Sequence, residues 1–165
     1  MSLEKWQKRY VLGGLAILPI APFLYLQGQV TRWKVGLLPN ATEPAGVVGT
    51  GDDEVKLLVI GESTVAGLGA RFHELALGGQ FAKGIHKRTG KKVRWTVIGR
   101  NGVTARRTID ELWPLVPDER FDHVLLGIGG NDVMKLSSPR KWRSDMLELI
   151  GIVREANPDA AIFIS

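Results

Sequence analysis

The stretch of residues 56–69, KLLVIGESTVAGLG, constrains the fold of this chain more than any other feature of its sequence. Residues 57–60 form an uninterrupted aliphatic run, which predicts a strand buried on both faces, as in a parallel sheet. Gly61 ends the run, and Glu62 and Ser63 follow on a predicted turn at the carboxyl end of the strand. Ligand crevices in open α/β sheets lie beyond these strand ends. Ser63 is therefore either the N-cap of a following helix or a functional side chain.

Downstream of this stretch, segments with the periodicities of strands and helices alternate. The predicted strands cover residues 55–60, 92–98, 121–128 and 160–164. The predicted helices cover residues 71–89 and 104–112, and a third helix begins with Ser138 and Pro139. The first of these helices has a potential break at Gly78 and Gly79. Alternation of this kind predicts an α/β fold with right-handed crossovers. We expect a three-layer, flavodoxin-like parallel sheet with helices on both faces.

The N-terminal part follows a different pattern. Lys5, Lys8 and Arg9 precede residues 10–26, an apolar segment of 17 residues without a charge. Such a segment after a basic leader predicts a transmembrane anchor, with the rest of the chain on the periplasmic or extracellular side, or alternatively a cleaved signal peptide and a secreted product. The expected division is residues 1–30 for the leader and anchor, 31–54 for a linker rich in glycine and proline, and 55–165 for the folded domain.

Composition narrows the set of partners. The formal net charge of +5 permits an anionic partner, but the basic residues are spread along the chain without an interleaved aromatic stripe, so no nucleic-acid partner is expected. The chain has no cysteine, which excludes disulfides and thiolate metal sites. No cluster of residues has the spacing of metal ligands, and we expect neither a metal nor a cofactor.

Three polar or glycine-rich loops follow the first three predicted strands. They are residues 61–64, 99–102 and 129–132. Because the carboxyl ends of parallel strands meet at one edge of the sheet, these loops are expected to share a rim. A nucleophilic serine needs a base and preorganised donors for an oxyanion, and glycine-turn amides and an asparagine amide are suitable donors.

In this order and spacing, the three loops resemble those of the SGNH hydrolases, the GDSL-type esterase and lipase family. The resemblance covers residues 55–165. The family's first block is similar to Gly61-Glu62-Ser63 with Gly67, and its second block is similar to the loop that contains Gly102. The third block is similar to Gly129-Gly130-Asn131-Asp132, which is the strongest match.

The resemblance implies the role of each site residue. Ser63 would be the nucleophile, and the backbone amides of Ser63 and Gly102, with the side chain of Asn131, would form the oxyanion hole. The implied activity is hydrolysis of a small-molecule carboxylic ester through an acyl-enzyme on Ser63, without a cofactor.

Two departures from the family pattern stand out. Glu62 occupies the position where the family usually has aspartate, which we expect to alter turn packing more than chemistry. The family's C-terminal Asp-x-x-His block, which supplies the base, is not present, and the histidines of the chain are His73, His86 and His123. The expectation is that the chain is truncated before that block and is inactive or impaired as given; His73, ten residues after Ser63, is a less favoured alternative for the base.

A non-catalytic binding module is the competing hypothesis. A flavodoxin-like sheet with glycine turns can hold a phosphate or another small ligand at the carboxyl ends of its strands. The chain, however, has no Gly-x-x-x-x-Gly-Lys-Ser/Thr motif, and Gly67-Leu68-Gly69 lacks the third glycine of the dinucleotide fingerprint.

Overall fold

The structure is a computed structural model that describes residue 9, residues 12–36 and residues 38–165. The chain divides into two compact units, Met1–Leu38 and Pro39–Ser165.

The N-terminal unit is helical at residues 12–17 and in helix α1, Ala21–Val35. Within the residues that the structure describes, no helix is both long and apolar enough to cross a membrane, so the predicted transmembrane segment 10–26 is not supported. A turn at residues 18–20 interrupts the apolar segment, and the 15 residues of α1 extend only about 22 Å, short of a hydrocarbon core of about 30 Å. Residues 10 and 11 and the leader with Lys5 and Lys8 lie outside the described residues.

The second unit is built on a five-stranded sheet with the order β1-β3-β2-β4-β5. Strands β2 to β5 are parallel to one another, and β1 runs antiparallel to β3. The strands are β1 Ala45–Val48, β2 Glu54–Gly61, β3 Lys92–Gly99, β4 His123–Gly127 and β5 Ala161–Ile164. The α/β class is confirmed, whereas the expectation of a purely parallel sheet is wrong, because β1 makes the sheet mixed.

Strand β1 lies inside the segment that the sequence pattern assigned to a linker. Its four residues, AGVV, are too few for a clear alternation, and Gly46 is typical of a loop. The structure explains this glycine, because a Cβ atom at Gly46 would lie only 2.5 Å from the ring of Trp95 on the paired strand. The backbone of β1 thus packs on the buried Trp95, and any residue larger than glycine at position 46 would clash with that side chain.

Alternate residues of β2 enter two separate hydrophobic clusters. Leu58 and Ile60 belong to one cluster, and Leu57 and Val59 belong to the other. All four side chains are fully buried. The prediction of a strand buried on both faces is therefore confirmed.

Helices supply the other half of each cluster. Helix α2, Leu77–Thr89, contributes Ala82 to the cluster of Leu57 and Val59. Helix α4, Pro139–Ala156, contributes Met146, Leu149 and Val153 to the other cluster. A five-residue helix α3, Gly130–Met134, and the helical turns Ala105–Arg107, Thr108–Leu112 and Trp113–Leu115 complete the elements after the strands.

The starts of two helices show how well local signals predict boundaries. As predicted, Ser138 caps α4 by accepting a hydrogen bond from the Lys141 amide, and Pro139 is its first residue. The predicted helix 71–89 instead begins as a short 3-10 turn, His73–Leu75, and α2 then runs through Gly78 and Gly79 without a break. A Cβ atom at Gly78 would overlap the side chain of Val97 on β3, so this glycine permits close packing of the helix on the sheet.

Glycines also end the three strands that carry the polar loops. Gly61 of β2 pairs with Gly99 of β3 on one side and with Gly127 of β4 on the other. A Cβ atom at Gly99 would overlap the backbone of Ala66, and one at Gly127 would lie 2.5 Å from the side chain of Val65. The turn that contains Ser63 can therefore lie directly on the carboxyl ends of the strands.

Candidate active site

Ser63 lies in the turn that leaves β2, at the edge of a cleft of about 410 Å³. The cleft is lined by Ser63, Thr64, Gly67, Leu68, Ala70, Ala76 and Leu77. The carbonyl of Ser63 accepts a hydrogen bond from the Leu68 amide at 3.1 Å. Its amide and hydroxyl have no hydrogen-bond partner among the described residues, and no helix begins at this serine. The structure therefore does not support the N-cap interpretation.

Gly102 lies in the loop that follows β3. Its φ of +79° favours glycine, while no atom lies within 4 Å of the position that a Cβ would take. The carbonyl of Gly102 accepts hydrogen bonds from Lys135 Nζ at 3.0 Å and from Arg107 Nη1 at 3.3 Å. Its amide bonds to none of the residues that the structure describes. The loop is therefore anchored on its carbonyl side and leaves a backbone donor available.

Asn131 follows β4 and is tied directly to the residue beside Ser63. Glu62 accepts hydrogen bonds from the Gly130 amide at 3.2 Å, the Asn131 amide at 2.9 Å and the Asn131 side-chain nitrogen, Nδ2, at 2.7 Å. A carboxylate at the first turn of a helix is also favoured by the helix dipole. Because an asparagine side chain carries two amide hydrogens, one remains for another acceptor.

Asp132 connects the same loop to the segment after β3. Its side chain is 3% exposed, and Oδ2 accepts a hydrogen bond from the Ala105 amide at 2.9 Å. This bond makes Asp132 an anchor of the loop. Together with the contact between Lys135 and Gly102, the bond couples the Gly102 and Asn131 loops.

The structure thus brings the three predicted site residues to one rim. Ser63 and Asn131 are linked through Glu62, and Gly102 is linked to the Asn131 loop through Lys135. Each residue lies just past the carboxyl end of one of three adjacent strands. Their roles as nucleophile and oxyanion donors stay predictions.

The three histidines lie in different surroundings. His73 is 4% exposed beside Gly67, and its Nδ1 atom has no hydrogen-bond partner within the described part of the chain. Burial lowers the pKa of His73 below its ordinary value of 6.5. His86 lies within 2.7 Å of the Lys91 carbonyl through Nδ1, and the His123 ring contacts Phe163. No hydrogen bond joins Ser63 to a histidine among residues 9, 12–36 and 38–165.

Sequence reasoning missed the function of Glu62. The expectation was an effect on turn packing, but the carboxylate holds the Asn131 side chain across a separation of 69 residues. The available signal was an acidic residue directly before the candidate nucleophile. The helix that follows the neighbouring strand begins at the same rim, where its amides can donate to that residue. The bond between Lys135 and Gly102 had no such signal, because a lysine on a loop is usually solvated.

Comparison with known proteins gives a family and a fold. The model of the GDSL-like lipase/acylhydrolase family matches residues 59–165. No curated protein matches the chain.

Several solved structures share the fold. The crystal structure of TesA has a TM-score of 0.55 and 21% identity, over 66% of this chain and 58% of that one. AlinE4, an SGNH-hydrolase family esterase, has a TM-score of 0.59 and 17% identity, over 70% and 60%. The psychrotrophic esterase EstA from Pseudoalteromonas sp. has a TM-score of 0.53 and 17% identity, over 66% and 57%. The chain thus spans less than two thirds of the length of each.

The Glu62 contacts predict a measurable contribution to stability. Glu62→Gln keeps the side-chain length but replaces one accepting oxygen with a donor, which faces the donors of Gly130 and Asn131. We expect the free energy of unfolding to fall by about 1–3 kcal/mol, measured by urea denaturation. Glu155→Gln is the matched control, because Glu155 is exposed on α4 and has no hydrogen bond to a described residue. Equal effects of the two substitutions would contradict a structural role for the Glu62 carboxylate.

The burial of His73 predicts that stability depends on pH. Because burial lowers the pKa of His73, the folded state binds a proton less readily than the unfolded chain, so the free energy of unfolding should decrease as pH falls below about 6.5. His73→Leu should flatten the pH dependence between pH 7 and about 5.5, measured by urea denaturation, because it removes the titrating group. His86→Gln serves as the control. An unchanged slope in His73→Leu would show that burial does not lower the pKa of His73.

Proposed function

Because this chain belongs to the GDSL-like lipase/acylhydrolase family, we propose that it carries out hydrolysis of carboxylic esters through an acyl-enzyme on Ser63. The observation that carries the proposal is the Asn131 side chain, which Glu62 holds beside the Ser63 turn with one amide hydrogen unused. The backbone amides of Ser63 and Gly102, which donate to no described residue, lie on the same rim and support it.

The first half of the reaction forms the acyl-enzyme. The Ser63 oxygen attacks the ester carbonyl carbon and loses its proton to a base. The carbonyl oxygen becomes an oxyanion, which accepts hydrogen bonds from the two backbone amides and the second hydrogen of Asn131 Nδ2. Collapse of this intermediate breaks the carbon–oxygen bond to the alcohol, which leaves with a proton, and the acyl group stays on Ser63.

The second half returns the free enzyme. A water molecule attacks the acyl carbon, the same donors stabilise the second oxyanion, and the carboxylic acid leaves as the Ser63 hydroxyl is restored. The substrate class that we propose from the family is small-molecule carboxylic esters.

The proton of Ser63 needs an acceptor in the first half, and the proton of the attacking water needs one in the second half. No described histidine hydrogen-bonds to Ser63, and His73 does not line the Ser63 cleft. General-base catalysis typically contributes about 10²- to 10⁴-fold. We therefore expect the 165-residue chain to hydrolyse esters slowly by itself.

Phosphate binding at this rim is the weaker proposal. The Gly130 and Asn131 amides at the start of α3 would be the donors for a phosphate, but the Glu62 carboxylate already accepts from both. These two amides are therefore not available to a phosphate.

Mutation of Ser63 tests the assignment. A fluorophosphonate should add to the chain at Ser63, which peptide mass spectrometry identifies, and Ser63→Ala should abolish the adduct. Ser144→Ala, at an exposed serine of α4, should leave it unchanged. Asn131→Ala should slow formation of the adduct by about 10²- to 10³-fold, the usual loss for one oxyanion donor.

Hydrolysis of p-nitrophenyl acetate is the accompanying measurement. The rate above that of the buffer should be small for the unaltered chain and absent in Ser63→Ala. Undiminished turnover in Ser63→Ala would refute the serine-esterase mechanism.

A further inference from the structure

The chain places three apolar side chains in solvent immediately after the Asn131 loop. Val133, Met134 and Leu136 are 69%, 81% and 90% exposed. They occupy the end of α3 and the turn that follows, and we call residues 133–136 the apolar tip. Apolar side chains that are scattered singly over a surface are ordinary, but a cluster of this exposure marks an interaction site.

Leu136 is held in an unfavourable backbone conformation. Its φ is +55°, a region that glycine adopts readily and leucine rarely does. Hydrogen bonds from the Leu136 amide to the Val133 carbonyl and from the Ser137 amide to the Asp132 carbonyl fix the turn. Packing within the described residues does not explain a strained leucine that is almost fully exposed. Strain of this kind is concentrated at functional positions.

Two exposed cations follow the apolar tip along the chain. Arg140 and Arg143 are exposed on the first turns of α4, and neither has a hydrogen bond or an ion pair with any residue that the structure describes. Other cations nearby are paired, since Lys141 and Arg106 both contact Asp145. With no ion pair to a described residue, Arg140 and Arg143 therefore leave positive charge on the first turns of α4, which begins three residues after Leu136.

We propose that the apolar tip, with Arg140 and Arg143, docks onto the surface of an anionic lipid bilayer. Val133, Met134 and Leu136 enter the interface between headgroups and acyl chains, where exposed apolar side chains leave water. The guanidinium groups of the two arginines bind lipid phosphates, which they match in geometry and charge. Charge complementarity favours a lipid surface over a neutral protein partner.

The docking surface is continuous with the candidate active site. Asn131 lies two residues before the apolar tip, and Lys135 within the tip bonds to the Gly102 carbonyl. A bilayer bound there lies at the rim that carries the proposed oxyanion donors. Docking itself does not depend on ester hydrolysis, so a binding measurement tests it independently of the proposed function.

A local spectroscopic probe tests the proposal in the full chain. The sequence has no cysteine, so Met134→Cys introduces a single site for an environment-sensitive fluorophore. Leu115→Cys is the matched control, because Leu115 is 58% exposed and precedes the acidic residues Asp118 and Glu119. Each labelled protein is mixed with anionic vesicles of phosphatidylcholine and phosphatidylglycerol, and separately with vesicles of pure phosphatidylcholine. Because the label reports only its own surroundings, binding through N-terminal residues does not mimic the effect.

The expected result is local insertion of the apolar tip. With anionic vesicles only, the fluorescence emission of the label at position 134 should shift to shorter wavelength and be quenched by spin-labelled lipid. The emission of the label at position 115 should not change. Arg140→Gln with Arg143→Gln should raise the half-maximal lipid concentration for the label at position 134 about 30-fold, since each cation near an anionic surface contributes roughly fivefold. Lys87→Gln with Arg88→Gln, at two exposed cations of α2, should have a smaller effect.

Three outcomes would overturn the proposal. The first is a label at position 134 that stays in water on anionic vesicles. The second is equal quenching at positions 115 and 134. The third is a spectral shift that occurs without vesicles and grows with protein concentration, which would identify a second copy of the chain as the partner.

Discussion

The Glu62 carboxylate is the interaction on which the candidate site depends. It stands at the carboxyl end of the central strand β2, directly before Ser63, and accepts three hydrogen bonds from Gly130 and Asn131 at the start of α3. One of these bonds aims the Asn131 side chain, and the other two hold the backbone that carries it. Since bonds to an ionised acceptor are about twice as strong as neutral ones, a single side chain fixes the loop after β4 relative to the loop after β2.

The strand ends make this short link possible. Gly61, Gly99 and Gly127 face one another across the sheet, and the absence of side chains there lets the Ser63 turn lie on the rim. The turn therefore brings Glu62 within reach of the next strand's loop, and the third loop joins through the Asp132 bond to Ala105. Close backbone packing and these polar contacts together convert three separate loops into one site.

Much of this arrangement follows from local sequence patterns. The aliphatic run before Gly61 and the Ser138-Pro139 start of α4 each identify an element from a few adjacent residues. The order of the loops places Ser63, Gly102 and Asn131 on one rim. Strand β1 was missed because its glycine, Gly46, is required by contact with Trp95, which lies far away in the sequence. The bond between Glu62 and Asn131 was missed for the same reason, because its two residues are far apart in the chain. The transmembrane prediction was drawn from the apolar run and the basic leader, and neither registers the turn at residues 18–20.

A crystal structure of the chain with a phosphonate bound covalently to Ser63 would show directly whether these donors surround an oxyanion. One phosphoryl oxygen should lie within about 3 Å of the Ser63 amide, the Gly102 amide and Asn131 Nδ2, the usual distance for oxyanion donors. Asn131 should keep its hydrogen bond to Glu62 in that complex. A phosphoryl oxygen that points away from these donors, or an Asn131 side chain that leaves Glu62 to reach it, would contradict an oxyanion hole held in place by Glu62.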